Sequence, residues 1–225
     1  MRYGGYILIV RKFIQRFESS TPGITGRMTT FFDEIKPLTS PHTATRGSTR
    51  KFHDINFDKD TFSNPNAFLI SPSIIAFQKE FSILAYAFLH KVGPKLTTSC
   101  PALSQNLAAL NGRPPKRTAI FAVYYNIDSS QFNNNGLAPH VDREAPIGAL
   151  ALGGTIIPPE KTTLRFYDTA DYLAVRKNPN DPKFNQYDVS YSLGDLVLGY
   201  GAFTHESFVA VNGRVQYTQF LDYNV

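Results

Sequence analysis

The chain of 225 residues contains no tryptophan and a single cysteine, Cys100. One cysteine excludes an internal disulfide framework and any zinc site built from several thiolates. The G-x-S-x-G elbow, the P-loop and the H-E-x-x-H helix are also missing, which argues against the enzyme classes that carry them. Any metal in this protein must therefore be held mainly by histidine and carboxylate.

Long apolar runs are missing as well, since none approaches the roughly 20 residues that span a bilayer. We therefore expect no membrane association and an intracellular protein, cytoplasmic or nuclear. The chain is basic and free of acids until Glu18, so an organelle-targeting peptide remains an alternative. The short apolar stretch at residues 6–10 is otherwise predicted as an N-terminal strand or helix.

Acidic residues are scarce in the first half of the chain. Residues 1–117 hold 16 Lys and Arg against 7 Asp and Glu, whereas residues 118–225 hold 7 against 11. A basic front half can steer a polyanion toward a site in the back half, although such a surplus also keeps a protein soluble. The substrate class is left open among small molecules, nucleic acids and protein side chains, and so is the oligomeric state.

The spacing of apolar residues predicts two helices in the first half. Ser71 and Pro72 open a helix that ends at residues 93–94, and a second helix follows from about residue 99 to residue 111. The first has apolar residues on more than one stripe, which indicates a helix buried against a sheet.

After residue 117, short β-branched and aromatic runs alternate with turn residues, as in a β-sandwich or barrel. We predict a mainly β fold with flanking helices: a jelly roll of about eight strands in two sheets, with the N-terminal helices packed on one sheet. Residues 1–117 form the basic helical and loop region and residues 118–225 the β core, and we expect the two to share one structural domain.

His140 and Asp142 are the first candidate metal ligands. Residues two apart in a strand point to the same face, so both side chains can reach one metal. Taken alone, the pair is equally typical of a surface histidine that bonds to a neighbouring carboxylate.

His205 and Arg214 extend the pattern. His205 follows a turn and an apolar strand-like run over residues 193–198, and Arg214 opens the last strand-like run. Two imidazoles and one carboxylate on one face are the facial triad of non-haem Fe(II) oxygenases. Three protein ligands leave three iron positions, two for a 2-oxo acid and one for O2. Arg214 offers a planar bidentate donor for the far carboxylate of that acid, its alternative being a surface arginine near a turn.

The back half of the chain, about residues 118–224, resembles the double-stranded β-helix of the Fe(II)/2-oxoglutarate-dependent dioxygenases. The matching residues are His140, Asp142, His205 and Arg214, with the GDLVL strand ahead of the second histidine. The resemblance implies iron ligation by the first three and 2-oxoglutarate binding by Arg214. It also implies that O2 is consumed, that 2-oxoglutarate is converted to succinate and CO2, and that a substrate C–H bond is hydroxylated or oxidatively demethylated.

The Tyr125-Asn126 sequence, which precedes the pair His140 and Asp142, is similar to the AlkB type, in which a Tyr and an Asn help to hold 2-oxoglutarate. Tyr124 or Tyr125 is therefore a candidate co-substrate contact, and either is also a candidate packed aromatic. The AlkB type has a second arginine six residues after the first, where this chain has Phe220. The sub-family is left open, the TET/JBP-type base hydroxylases included.

Arg165 is a second cation on a predicted central strand and the alternative anchor for the 2-oxo acid. The polar connection over residues 168–186 is long for a link between strands, so we expect it to be either functional, as a lid over the substrate, or disordered.

Two other functions remain open at this stage. A jelly-roll binding module without catalysis would hold a structural metal in the triad or none. A facial-triad iron oxygenase that binds its substrate directly on iron would not use 2-oxoglutarate.

Overall fold

The structure is a computed structural model. It describes residues 5–36, 40–41, 50–54, 71–125, 137–142, 146–157, 159–199, 203–208 and 214–223. For residues 40–41, 50–54, 117–125, 137 and 214 the description is of the backbone.

Four α-helices are described, three of which precede the β core: α1 Ile24–Ile35, α2 Pro72–Val92, α3 Pro101–Ala109 and α4 Tyr172–Lys177. Helix α2 begins as predicted, with Pro72 in its first turn and the Ser71 hydroxyl accepting a hydrogen bond from the Ile74 amide. Among the described helices, none combines the length and the apolar character needed to cross a membrane.

Helix α1 was not predicted. Its buried side chains are Ile24, Met28, Phe31, Phe32 and Ile35, which follow helical spacing. Gly23 precedes it with a positive φ of 78° and no side-chain cap, so the usual polar start signal is absent. The 3.6-residue period of the apolar side chains was the available signal.

The strands form two sheets and a jelly roll, as predicted. Their bounds are β1 Ile7–Val10, β2 Ser40–Pro41, β3 Arg50–Asp54, β4 Lys116–Tyr125, β5 Leu137–His140, β6 Gly148–Gly153, β7 Leu164–Tyr167, β8 Gln186–Val189, β9 Leu196–Gly199, β10 Thr204–Ser207 and β11 Arg214–Asp222. The major sheet has the order β1-β9-β6-β11-β4-β3-β2 and the minor sheet the order β5-β10-β7-β8. From β4 onward the chain alternates between the sheets, with only β7 and β8 consecutive in one sheet, so its eight strands make a double-stranded β-helix.

The N-terminal segment extends the major sheet, because β1 pairs antiparallel with β9. Asp195, buried in the turn before β9, holds this segment in place. Its carboxylate accepts hydrogen bonds from the Lys12 amide at 2.7 Å, the Ser192 amide at 3.0 Å and the Arg11 guanidinium at 2.9 Å. The stretch at residues 6–10, predicted as strand or helix, is thus an edge strand.

The two faces of the major sheet bury different partners. On the outer face Tyr217 of β11 packs edge-on against Phe31 of α1 and Phe81 of α2, with ring centroids 5.3 and 5.6 Å apart. Its neighbours Gln216 and Thr218 face the space between the sheets, since successive residues of a strand alternate. This alternation decides which residues of β11 and β4 can reach a site between the sheets.

The connection over residues 168–186 contains helix α4 and is ordered against the minor sheet. The Asp171 side chain caps α4 by accepting from the Ala174 amide, and the Arg176 guanidinium donates to the Pro139 carbonyl at 2.7 Å. Pro139 lies in β5, the edge strand of the minor sheet, so α4 covers an edge that would otherwise present unpaired carbonyls. Of the two expectations for this segment, disorder is wrong and a lid role stays a hypothesis.

Candidate metal centre

The three predicted ligands come together at one end of the minor sheet. His205 of β10 pairs directly with His140 of β5, so the two imidazoles project from the same face, and their ring centroids are 4.2 Å apart. Asp142 follows β5 by two residues, which returns its side chain to the face of His140. Within the described part of the chain, these three residues are the one group of His, Cys, Asp or Glu whose ligand atoms all lie within 4.8 Å of one another.

The Asp142 carboxylate bridges the two histidines. Its Oδ2 is 3.2 Å from His205 Nε2, and its Oδ1 is 3.6 Å from His140 Nε2. The side chains of His205 and Asp142 are 11% and 12% exposed, whereas that of His140 is 23% exposed. The cluster is therefore largely withdrawn from water but open on the side of His140.

Hydrogen bonds to the backbone set the tautomer of both imidazoles. His140 Nδ1 lies 2.8 Å from the Ala138 carbonyl, and His205 Nδ1 lies 3.1 Å from the Phe203 carbonyl. A carbonyl oxygen only accepts, so Nδ1 carries the proton in each ring. In the neutral imidazole Nε2 is then the atom with the lone pair, and in both rings it is the atom that faces Asp142.

This arrangement brings three electron-pair donors together. Two Nε2 lone pairs and a carboxylate repel one another unless positive charge lies among them, supplied by protons on the rings or by a metal ion. Ligand atoms at bonding distance from one metal lie about 3 Å apart, close to the separations between Asp142 and the two Nε2 atoms. The residues thus fit a divalent metal of the type that takes two imidazoles and one carboxylate.

Positions 214 and 125 are neighbours on the interior face of the major sheet. Arg214 pairs with Tyr125 across β11 and β4, and position 214 is on the face of Gln216 and Thr218. Tyr124 pairs with Val215 and so belongs to the face that carries the helices. The side chains of Arg214, Tyr125 and Tyr124 lie outside the described part of the chain, and the register favours Tyr125 over Tyr124 as a contact for a ligand between the sheets.

Arg165, the alternative anchor, is on the opposite face of the minor sheet from the histidines. It pairs with Glu206, whereas Phe166 pairs with His205. Its guanidinium donates two hydrogen bonds to Asp188, at 2.6 and 2.9 Å. These bonds raise the pKa of Arg165 and lower that of Asp188. This placement argues against a role for Arg165 in holding a ligand near the histidines.

Four residues that were not predicted from the sequence border the interior. Phe166 packs beside His205, with ring centroids 5.4 Å apart. The buried hydroxyl of Tyr191 donates to Gln216 Oε1, and Gln216 Nε2 donates to Thr218 Oγ1 at 3.2 Å. The period of two in RVQYTQF was the available signal for Gln216, because it shares a face with position 214.

No protein-family model matches the sequence, and no curated protein matches it. Solved structures of similar fold are found. One is the non-heme α-ketoglutarate-dependent epimerase SnoN from nogalamycin biosynthesis, with a TM-score of 0.56 and 12% identity over 98% of this chain and 78% of that protein.

Two hydroxylases are similar to the same degree. A Pseudomonas putida prolyl-4-hydroxylase has a TM-score of 0.54 and 13% identity, with 97% of this chain and 93% of the other covered. A Trichoplax adhaerens prolyl hydroxylase in complex with a hypoxia inducible factor peptide has a TM-score of 0.52 and 11% identity, with 96% and 83% covered. At these identities the likeness concerns the fold. The chain therefore has the double-stranded β-helix fold of the Fe(II)/2-oxoglutarate-dependent oxygenases.

Proposed function

We propose that the protein is an Fe(II)/2-oxoglutarate-dependent oxygenase in which His140, Asp142 and His205 bind the iron. The observation that carries the proposal is the convergence of two Nε2 atoms with a lone pair on one carboxylate, in a partly buried cluster. Similar folds in proteins named as α-ketoglutarate-dependent or as prolyl hydroxylases support it. When bound, the iron supplies activation of O2 coupled to decarboxylation of the 2-oxo acid.

The protein's own contribution begins with orientation of the ligands. The Ala138 and Phe203 carbonyls each hold an Nδ1–H, which fixes the ring plane and directs Nε2 inward before a metal arrives. Such hydrogen bonds to ligating histidines increase their basicity and are costly to remove. Asp142 contributes the negative charge that attracts a divalent cation to the two imidazoles.

We assign the far carboxylate of 2-oxoglutarate to Arg214, with Tyr125 beside it. In the strand register, positions 214 and 125 are side by side on the interior face, and position 214 is two residues from Gln216. A guanidinium pairs with a carboxylate in a planar, bidentate manner that lysine does not reproduce. Charge pairing with Arg214 also distinguishes 2-oxoglutarate from 2-oxo acids that lack a second carboxylate.

The small side chains of β6 favour a ligand between the sheets. Leu150 and Leu152 belong to the core on the helix side, so Ala149 and Ala151 face the interior. Alanine fills little of the gap between two sheets, which pack about 10 Å apart. The carboxylate of Asp142 favours hydroxylation over halogenation, because halogenating members of the family that the chain resembles replace that carboxylate.

The proposal is tested by succinate formation from 2-oxoglutarate in air, with Fe(II) and the purified chain. Wild-type protein should form succinate only with iron, and His205→Ala should reduce the rate by at least about 100-fold, because a ligand is lost. His90→Ala is a matched control, since His90 bonds to the Arg113 carbonyl away from the cluster.

Each alternative function has its own outcome in this assay. Absence of succinate in the presence of iron and candidate substrates, together with tight metal binding, would favour a binding module. O2 consumption that is independent of 2-oxoglutarate would favour an iron oxygenase that binds its substrate directly. Either result would overturn the proposal.

A further inference from the structure

An aromatic row crosses the minor sheet and ends at the candidate metal ligands. Tyr187, Phe166, His205 and His140 occupy directly paired positions on β8, β7, β10 and β5. Cross-strand partners share a face, so the four rings lie side by side on the interior of the sheet. His205 thus has a ring on each side, His140 at 4.2 Å and Phe166 at 5.4 Å between centroids.

Phe166 is held against His205 from the facing sheet by the backbone of Gly199. Phe166 is 4% exposed, and its ring covers Gly199 in β9. A Cβ at position 199 would lie 2.7 Å from Phe166 Cζ and 2.8 Å from Cε1. Carbon atoms in good contact are about 3.5–4.0 Å apart, so any side chain at 199 must displace the ring by about 1 Å.

Gly199 is not required by its own backbone. It lies within β9, paired with Ile7 on one side and Ala149 on the other, and its φ is not among the positive values. Alanine is therefore tolerated by the strand geometry at 199, and its effect is confined to the contact with Phe166.

We propose that Gly199 and Phe166 are positioning residues for His205. Because Gly199 has no side chain, the Phe166 ring lies close to the major sheet. This ring keeps the His205 imidazole in the plane in which Nδ1 contacts the Phe203 carbonyl and Nε2 contacts Asp142. A ring displaced from Gly199 has His205 on one side of it in the row and Tyr187 on the other, so its displacement alters the packing of the imidazole. This inference rests on the proposed function only in requiring a metal at the three ligands.

The test is a double-mutant cycle on Mn(II) affinity, measured from the electron paramagnetic resonance signal of free Mn(II). Gly199→Ala should weaken binding about tenfold or more, the range observed when support for a ligand is lost. In a Phe166→Leu background the same change should cost no more than about twofold, because leucine lacks the atoms that the new Cβ meets. Equal costs in both backgrounds would overturn the proposal.

Gly153→Ala is the matched control. Its Cβ would meet the Ser192 backbone carbonyl and the Tyr191 ring rather than Phe166, so it should lower the melting temperature and leave Mn(II) affinity of the folded protein unchanged. If Gly199→Ala does not fold, Phe166→Leu carries the test. It should change the visible ligand-field spectrum of bound Co(II), and an unchanged spectrum and affinity would contradict the positioning role.

The two proposals fail in different ways. Wild-type protein that binds no Mn(II) at the three ligands would refute the proposed function. Wild-type binding with a Gly199→Ala effect that is absent, or that is the same in both backgrounds, would refute only the positioning role.

Discussion

Replacement of Asp142 by asparagine separates a metal centre from a hydrogen-bonded surface cluster. The carboxylate lies 3.2 Å from one Nε2 and 3.6 Å from the other, and both rings have their Nδ1 proton engaged by a backbone carbonyl. Asparagine keeps the shape, removes the charge and offers an N–H to one Nε2. With both rings neutral, the metal-free variant should therefore be as stable as wild type or slightly more stable, because repulsion among electron pairs is relieved.

The metal-bound proteins should differ strongly. At a metal concentration of 100 times Kd, binding stabilises the wild-type fold by about 2.7 kcal/mol. For a domain of this size that raises Tm by roughly 5–11 °C. If the amide weakens binding 100-fold, the same concentration equals Kd, and the stabilisation falls to about 0.4 kcal/mol, or roughly 1–2 °C.

The assay is thermal unfolding with and without Mn(II), followed by circular dichroism. Asp188→Asn serves as the matched control, because Asp188 pairs with Arg165 on the opposite face of the minor sheet and should leave the metal-induced shift unchanged. A shift in Asp142→Asn equal to that of wild type would refute the assignment of Asp142 as a ligand.

Three further predictions follow from the packing and the register. Asp195→Ala removes a buried acceptor of three hydrogen bonds. It should lower the free energy of unfolding by about 3 kcal/mol or more, which thermal unfolding would detect as a Tm lower by roughly 6–12 °C. An unchanged Tm would contradict the role of Asp195 in holding the N-terminal segment. Arg214→Ala should raise the KM for 2-oxoglutarate at least about 100-fold, because a bidentate ion pair is lost. Arg165→Ala should leave this KM unchanged. The reverse pattern would show that Arg165 is the anchor. Tyr125→Phe should raise the KM for 2-oxoglutarate in steady-state kinetics, and Tyr124→Phe should not. Equal effects of the two substitutions would contradict the register argument.

Periodicity was sufficient for the parts of the fold in which local pattern and burial agree. The Ser71-Pro72 start of α2 matches the structure because a side-chain cap and a proline act locally. The jelly roll followed from short alternating runs, since one face of each strand must be buried. Helix α1 was not predicted because Gly23 at its start provides no polar cap, so the helical period of its apolar residues was the available signal.

The candidate site was predictable to the extent that spacing along strands determines direction. His140 and Asp142 are two apart and converge as expected, whereas the pairing of His205 with His140 depends on sheet topology that no local pattern encodes. Arg165 was a candidate because it is a cation in a strand, but the face it occupies depends on its register with Glu206. The role of Gly199 could not be predicted from the sequence, because its contact with Phe166 depends on how the two sheets pack on each other.

The proposed function requires that the three converging ligands and Arg214 form one centre for iron and 2-oxoglutarate. The most direct measurement is a crystal structure of the protein soaked with Mn(II) and N-oxalylglycine, a mimic of 2-oxoglutarate. We expect one metal bound by His140 Nε2, His205 Nε2 and Asp142, chelated by the mimic, whose far carboxylate reaches Arg214. Metal bound elsewhere, or a far carboxylate held by Arg165 on the opposite face, would contradict it.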